Sequence, residues 1–421
     1  MDLDARSLPA APFVRPVARR IRLNSIWLLM ARLTMQAQLV VFTVLVARYL
    51  GVAGFGQYAF VAALIFLGNV ATTFGTDTLL IREVARRQPA DSVLVTAALW
   101  LQLTLSTAWL IVVALGAGVL SSQSTTVTVA LLVYSLSLLP LAFYTVFTAV
   151  LRAHERMDLY LLLNVAVAFI QLGGAWWVLQ ASGTLLSLVI MLSATQLIAA
   201  VFAGVLCYRG VSAFQLKISV AHQQVLRVAR LAWPFALLGV LAVIYQRLGV
   251  LMVSALSTEV QTGWYGAAAR INEPIKLLHF AVLGALFPAL AQRTMSEFIA
   301  ARVFRRAWLF LLISSIAAAV IIIALAPFIV TLLFGASYAA AAPIAQILAV
   351  SLIPYTLSAS WSVRLVTQGR ERPVLWSTAF ALAVAFILNL WLIPVHGSIG
   401  AALAAVGSET LLAAALLCVR R

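Results

Sequence analysis

Arginine falls in every second gap between long apolar runs, and that alternation confines the chain to one class. Twelve apolar stretches can be read, at 24–47, 58–81, 93–119, 127–150, 159–180, 184–208, 233–256, 263–290, 308–333, 342–363, 374–393 and 398–418. Each is long enough to cross the hydrocarbon of a bilayer, about 30 Å thick, as a helix. Of the 28 Lys and Arg residues, all but five lie at the two ends or in even-numbered gaps. Those gaps are 82–92 (Arg82, Arg86, Arg87), 151–158 (Arg152, Arg156), 209–232 (Arg209, Lys217, Arg227, Arg230), 291–307 (Arg293, Arg302, Arg305, Arg306) and 364–373 (Arg364, Arg370, Arg372). Arg6, Arg15, Arg19, Arg20 and Arg22 precede the first run, and Arg420 and Arg421 follow the last. The positive-inside rule then puts both termini in the cytoplasm. An eleven-span reading would break the alternation. The expected fold class is an all-α polytopic membrane protein with about 12 transmembrane helices.

The same layout limits what the chain can do. No gap is long enough for a separate soluble domain, and no glycine-rich phosphate loop is present, so no ATPase domain is expected. The net charge of +16 is scattered in short juxtamembrane clusters, which set topology and touch anionic headgroups; nucleic acid is not an expected partner. Cys207 and Cys418 lie near cytoplasmic span ends, a reducing location in which no disulfide is expected. His154, His222, His279 and His396 sit in different segments without metal-ligand spacing, so neither a metal nor a cofactor is expected. No nucleophile–base spacing nominates a catalytic residue, and the expected class is transporter, not enzyme. Trp176 and Trp177 read as interfacial anchors, with sugar stacking as the alternative. The expected domains are a cytoplasmic tail (1–23), an N-terminal bundle (24–208), a linker (209–232), a C-terminal bundle (233–418) and a cytoplasmic end (419–421). The first run is expected to be a retained span, since no small-residue cleavage site follows it. Within the linker, segment 219–231 puts Val220, Val225, Val228 and Leu231 near one face. It reads either as an amphipathic helix on the membrane surface or as a simple linker.

The halves resemble each other. Gly56 and Tyr58 follow span 1 as Gly263 and Tyr265 follow span 7, at an offset of 207, and Arg86 meets Arg293 at the same offset. His-Glu-Arg at 154–156 matches Arg-Glu-Arg at 370–372, and Ala-Val-Ala-Phe-Ile at 166–170 recurs at 383–387. Six spans per half is an even number, so both copies keep one orientation. The repeat axis should run along the membrane normal, with substrate between the halves.

Charges inside the bilayer are costly and mark function by default. Arg32 lies in span 1, about 12 Å from its cytoplasmic edge at 1.5 Å per residue. It either snorkels to headgroups or faces a cavity. Arg48 is expected to snorkel at the outer surface. Arg247 is near the middle of span 7, too deep to snorkel easily. In span 8, Asn272, Lys276 and His279 form one stripe, with Arg270 and Glu273 paired at i,i+3 on its flank. That pair is either functional or a neutralised structural unit. Asp77 in span 2 either pairs with Arg82, caps a helix, or serves ion coupling. Arg32, Arg247, Arg270 and Lys276 outnumber Glu273 and Asp77, and a water-filled cavity so lined suits an anionic headgroup such as a pyrophosphate.

Ala47-Arg48-Tyr49-Leu50-Gly51, Gly54-Phe55-Gly56-Gln57-Tyr58, Phe74-Gly75 and Leu80-Ile81-Arg82-Glu83-Val84-Ala85-Arg86 together resemble the opening of the polysaccharide-biosynthesis membrane proteins. These are the O-antigen and exopolysaccharide flippases of the multidrug/oligosaccharidyl-lipid/polysaccharide exporter superfamily. Gly263-Trp264-Tyr265-Gly266-Ala267-Ala268, Phe287-Pro288 and Gly397-Ser398-Ile399-Gly400-Ala401-Ala402 resemble its second half. The resemblance covers roughly residues 20–418. It implies two six-helix bundles around a V-shaped cavity in the bacterial inner membrane. It also implies alternating access that carries an undecaprenyl-diphosphate-linked oligosaccharide from the cytoplasmic to the periplasmic leaflet. The implied partners are that lipid-linked cargo, membrane lipids, and polysaccharide polymerase and chain-length proteins. Many relatives carry an acid two positions after the place of Arg247, where this chain has Gly249, so Asp77 or Glu273 would have to serve coupling. Twelve spans argue against the lipid II flippase branch, which usually has two more. Two rivals stand beside this reading. A multidrug exporter of the superfamily predicts an anionic cavity, and a membrane-embedded polymerase or glycosyltransferase predicts a large loop or an acidic pair.

Overall fold

The computed structural model describes residues 14–86, 92–120, 124–211, 216, 220–291 and 297–419. Within them the chain forms helices α1 (Val14–Thr73), α2 (Thr76–Arg86), α3 (Ser92–Leu120), α4 (Thr125–Ser135), α5 (Leu138–Ala153), α6 (Met157–Ala181) and α7 (Leu185–Gly210). The second half supplies α8 (His222–Leu256), α9 (Glu259–Ala291), α10 (Glu297–Phe334), α11 (Ala341–Val350), α12 (Leu352–Thr367) and α13 (Glu371–Cys418). Helix is what apolar runs must become in lipid, because every backbone N–H and C=O has to be satisfied within its own segment.

Nine helical stretches among the described residues are long and apolar enough to cross a membrane. Two of them, α1 and α13, bend at glycines in the left-handed region, Gly51 (φ 68°) and Gly397 (φ 58°), so each is two spans joined without a loop. Helix α9, at 33 residues, is also longer than a crossing needs, and with it the count is twelve. The outer turns are thus reduced to bends.

Two expected boundaries move. Helix α1 begins at Val14, inside the segment expected as a tail; residues 1–13 lie outside the described residues. Residues 222–231 form neither a surface-lying helix nor a simple linker; they are the first turns of α8. Val228 (2% exposed) and Ala232 (0%) pack with Val84, Leu151 and Cys207 of the N-terminal half. Of the apolar stripe that suggested a lipid surface, Val228 is buried and Val220 and Val225 are partly buried against this cluster, while Leu231 stays exposed (42%).

The internal repeat is visible in single residues. Ser137 and Ser351 both start a helix after a break, and each hydroxyl donates 2.6 Å back to a carbonyl, of Tyr134 and of Leu348. Arg156 donates to the Gly210 carbonyl (2.7 Å) at the end of α7, and Arg370 to the Val419 carbonyl (2.9 Å) just after α13. The backbone N–H of Arg156 bonds Leu151, and that of Arg370 bonds Leu365. Each of these pairs is 214 residues apart except the two helix-end carbonyls. The Glu-Arg match of the sequence, at 216, is therefore displaced by two. Arg293 lies outside the described residues, as does the side chain of Arg86.

The halves meet at a crossing of the second part of α1 with α9. A side chain at Gly56 would collide with the carbonyl of Glu259 and the amide of Gly263, and one at Gly263 would collide with the carbonyl of Val52. Since 56 corresponds to 263 and 52 to 259, the contact is reciprocal about the repeat axis. Backbones come this close only where both residues lack a side chain. Further bonds tie the outer side. Arg48 does not simply snorkel: its Nε donates to the Leu333 carbonyl (2.8 Å) and its Nη2 to that of Leu332. The Tyr338 hydroxyl lies 3.0 Å from the carbonyls of both Ala47 and Gly51. Gln57 donates to Glu259 (2.8 Å).

The core follows the same division. One apolar cluster joins both halves, with Phe42, Val46 and Phe55 against Val253, Tyr265 and Tyr338. Toward the cytoplasm it splits into two clusters. One holds Leu80, Leu151 and Cys207, and the other Leu286, Phe304, Trp361 and Leu416. The halves are joined at the outer end, and at the inner end the start of α8 bridges to the N-terminal half while the rest of the two bundles divides, so that a wedge lies between them.

Candidate functional site

A cavity of about 400 Å³ lies between the bundles, on the cytoplasmic side of the glycine crossing. The C-terminal half contributes the charge. Arg247 of α8 donates from Nη1 to Glu273 Oε1 (3.2 Å), and Arg270 donates from Nη1 to Oε2 of the same carboxylate (2.6 Å). The second bond follows from helix geometry, since i and i+3 are neighbours on one face of α9. The first depends on how α8 and α9 pack. The Arg247 guanidinium also lies over the Phe66 ring, 4.9 Å from its centroid. Its Nε is buried and has no acceptor. Two cations share one anion, so the site is net positive.

The N-terminal half contributes uncharged polar groups: Gln36, Gln38, Asn69, Ser137, Gln171 and Gln196. Gln38 and Gln171 bond each other at 2.5 Å, and the buried Gln196 Nε2 has no partner. Tyr58 and Tyr134 supply aromatic faces. A smaller, mostly apolar crevice meets the cavity at Gln36, Arg270 and Glu273, and runs past Leu39, Val40, Val44, Leu333 and Phe334. Val40 is 44% exposed on the outside of the bundle. The charged site thus connects with the apolar surface between α1, α9 and α10.

The structure brings together three of the six residues singled out by sequence, Arg247, Arg270 and Glu273. Arg32 is exposed about one helical turn cytoplasmic of Gln36, with its guanidinium 5.9 Å from the Phe280 ring across the wedge. Lys276 leaves the cavity; its ammonium sits 4.9 Å over the Tyr355 ring. The polar stripe of α9 faces the interior of its own bundle. Asn272 donates to the Ala268 carbonyl, and His279 is fully buried. The His279 Nδ1 donates to the Ile275 carbonyl (2.8 Å), and Nε2 lies 2.8 Å from Thr356 Oγ1 and 3.0 Å from Ser315 Oγ. Asp77 starts α2 at the cytoplasmic side and pairs loosely with Arg152 (3.9 Å), not with Arg82, which pairs with Glu83 (3.1 Å).

One buried acid escapes the sequence reading. Glu409 of α13 is 6% exposed, accepts from Ser358 (3.3 Å), and lies within electrostatic reach of Lys276 and beside the Tyr245 hydroxyl. The apolar run around it masks the single charge, although an acid near the middle of the last span is itself a signal. The departure at Gly249 has a physical counterpart: a Cβ there would strike the Tyr265 hydroxyl. The space of a carboxylate is taken by a phenol.

Comparison with known proteins places this geometry. A family described as "Polysaccharide biosynthesis protein" matches residues 21–294. No curated protein matches the chain. Among solved structures, the lipid II flippase MurJ in an inward closed conformation superposes with TM-score 0.77 at 14% identity, covering 95% of this chain and 87% of that one. An inward-facing multidrug resistance MATE family transporter of the MOP superfamily gives 0.73 at 16% identity, covering 92% and 94%. The eukaryotic MATE transporter AtDTX14 gives 0.65 at 13%, covering 97% and 96%. At these identities the likeness is one of fold: this is a multi-pass membrane protein with the MOP architecture.

Proposed function

The chain belongs to the polysaccharide biosynthesis protein family, and from that premise we propose that it is a flippase for a polyprenyl-diphosphate-linked oligosaccharide in the bacterial inner membrane. The observation that carries the reading is the pair Arg247 and Arg270, set in a cavity whose opposite wall is built of amides and hydroxyls. Guanidinium groups read phosphate oxygens with paired, charge-assisted bonds. Amides and aromatic faces suit sugar hydroxyls and sugar rings. The apolar crevice at Arg270 gives a prenyl tail a way to stay in lipid while its headgroup is inside. A cationic drug would find two arginines and one already engaged carboxylate.

In this reading the cargo enters from the cytoplasmic leaflet into the wedge. Arg32, at the mouth, draws in the anionic headgroup, and Arg247 with Arg270 hold the diphosphate. The bundles then rock, the outer bonds break, and the headgroup leaves toward the periplasm. Lys276 acts through Glu409 within its own bundle. Glu273, facing the cavity, and the buried Glu409 are the acids open to a coupling ion, whereas Asp77 belongs to the cytoplasmic rim.

A strain lacking the gene tests this. Mass spectrometry of polyprenyl-linked sugars, with sidedness checked in spheroplasts, should find a complete lipid-linked oligosaccharide accumulating on the cytoplasmic face. Sensitivity to cationic drugs without that accumulation would move the protein to the multidrug exporters. Arg247→Ala should still insert, and should lower export by roughly 10- to 100-fold, since it removes a charge-assisted phosphate contact.

A further inference from the structure

The site already holds an anion of its own. One carboxylate, Glu273, spans both guanidiniums, with Oε1 on Arg247 and Oε2 on Arg270. Its side chain is 31% exposed and both arginines are 21% exposed, so the three face the cavity and are not sealed in the core. Arg247 still has a buried Nε–H without an acceptor, so the carboxylate does not exhaust the fork. Carboxylate and phosphate are bound by guanidinium in the same two-point geometry. An incoming phosphate therefore competes with Glu273 for these donors.

We propose that Glu273 is a built-in stand-in for the headgroup, and that its competition selects a diphosphate over the phosphodiesters of ordinary membrane lipids. The inference rests on the flippase reading of this cavity. Charge decides the competition. A phosphodiester headgroup carries one negative charge and offers these arginines nothing that Glu273 does not already give. A prenyl diphosphate sugar carries one charge on each phosphate. It can give each arginine its own anion. The bilayer presents phospholipid in vast excess at the crevice, so a cavity with two unengaged arginines would fill with it. Glu273 sets the threshold that a single charge does not pass. The same carboxylate lowers the net charge of the empty cavity from two positive to one, which favours the return of the unloaded carrier through a low-dielectric barrier.

The test uses the full chain in nanodiscs and two probes, a short-chain prenyl diphospho-glucose and the matching prenyl phospho-glucose. The expected result for Glu273→Gln is tighter binding of the monophosphate by about tenfold or more, the usual effect of removing one charged competitor at hydrogen-bond distance. The diphosphate should gain less, so the ratio of the two affinities falls. Glu273→Asp, too short to span both arginines, should move the ratio part of the way, and serves if the amide variant fails to fold. Lipid extracted with the purified Glu273→Gln protein should be enriched in phospholipid. An unchanged ratio in both variants, with binding still lost in Arg247→Ala, would overturn the stand-in and leave the flippase reading in place. If the wild type binds neither probe, both fall.

Discussion

At the residue scale, the chain is legible wherever one side chain does one job within its own helix. Arg270 and Glu273 pair because they are three apart on α9, and the sequence reading states both. The bond from Arg247 to the same carboxylate needs the register of α8 against α9, which no local pattern holds. Lys276 reads as a cavity residue because it shares a helix with Arg270, yet the wider face of α9 turns it into its own bundle. The glycines are more decisive than the charges. Gly56→Ala and Gly263→Ala should each destabilise the protein by on the order of 1–3 kcal/mol, because neither neighbouring backbone can yield to a new methyl group. The losses should be similar, as the contact is reciprocal, and thermal unfolding in detergent would measure them. Gly249→Asp would place an acid two positions after Arg247, where the resemblance implies one. It should lower stability through displacement of Tyr265 without raising transport, which the same melts and a spheroplast flipping assay would check.

At the scale of elements, apolar length and the alternation of arginine are enough to count helices, and the count holds at twelve. What they miss is continuity. Gly51 and Gly397 look like gaps in a hydropathy plot, yet the helix runs on through them with one residue turned left-handed. The stripe at 222–231 looks like a surface helix because amphipathicity is the same whether protein or lipid covers the apolar side; Val228 and Ala232 are covered by protein. The repeat is best measured by its caps. Arg156 and Arg370 both bond the carbonyl that ends the last helix of their half. Arg156→Ala and Arg370→Ala should therefore have parallel and small effects, about 1 kcal/mol or less for partly exposed groups, visible as matched shifts of the melting curve.

At the scale of the whole molecule, the two-bundle layout is legible from six spans per half, while the state of the wedge is not. It is set by a few bonds at the outer end, those of Arg48 to the end of α10 and of Tyr338 to the bend at Gly51. Tyr338→Phe removes a hydrogen bond worth about 1 kcal/mol, enough to move a two-state equilibrium about fivefold toward the outward-open form. Labelling of cysteines placed at the outer bend of α1 and the outer end of α9 should become faster in that variant and faster again with Arg48→Ala. No change in labelling would mean that the crossing alone keeps the outer side shut.

The place of that crossing sets the mechanics of the machine. From Gly263 to the cytoplasmic end of α9 is 28 residues, about 42 Å at helical rise, while only four residues, about 6 Å, separate it from Glu259 at the other end. Used as a fulcrum, it gives very unequal lever arms. A tilt of about 10° swings the inner tips by about 7 Å and the outer tips by about 1 Å. Widening or narrowing the cytoplasmic mouth can therefore happen with the glycines in contact, as breathing about a fixed bearing. Release on the far side cannot: the bearing itself must come apart there, and a new one must form nearer the cytoplasm.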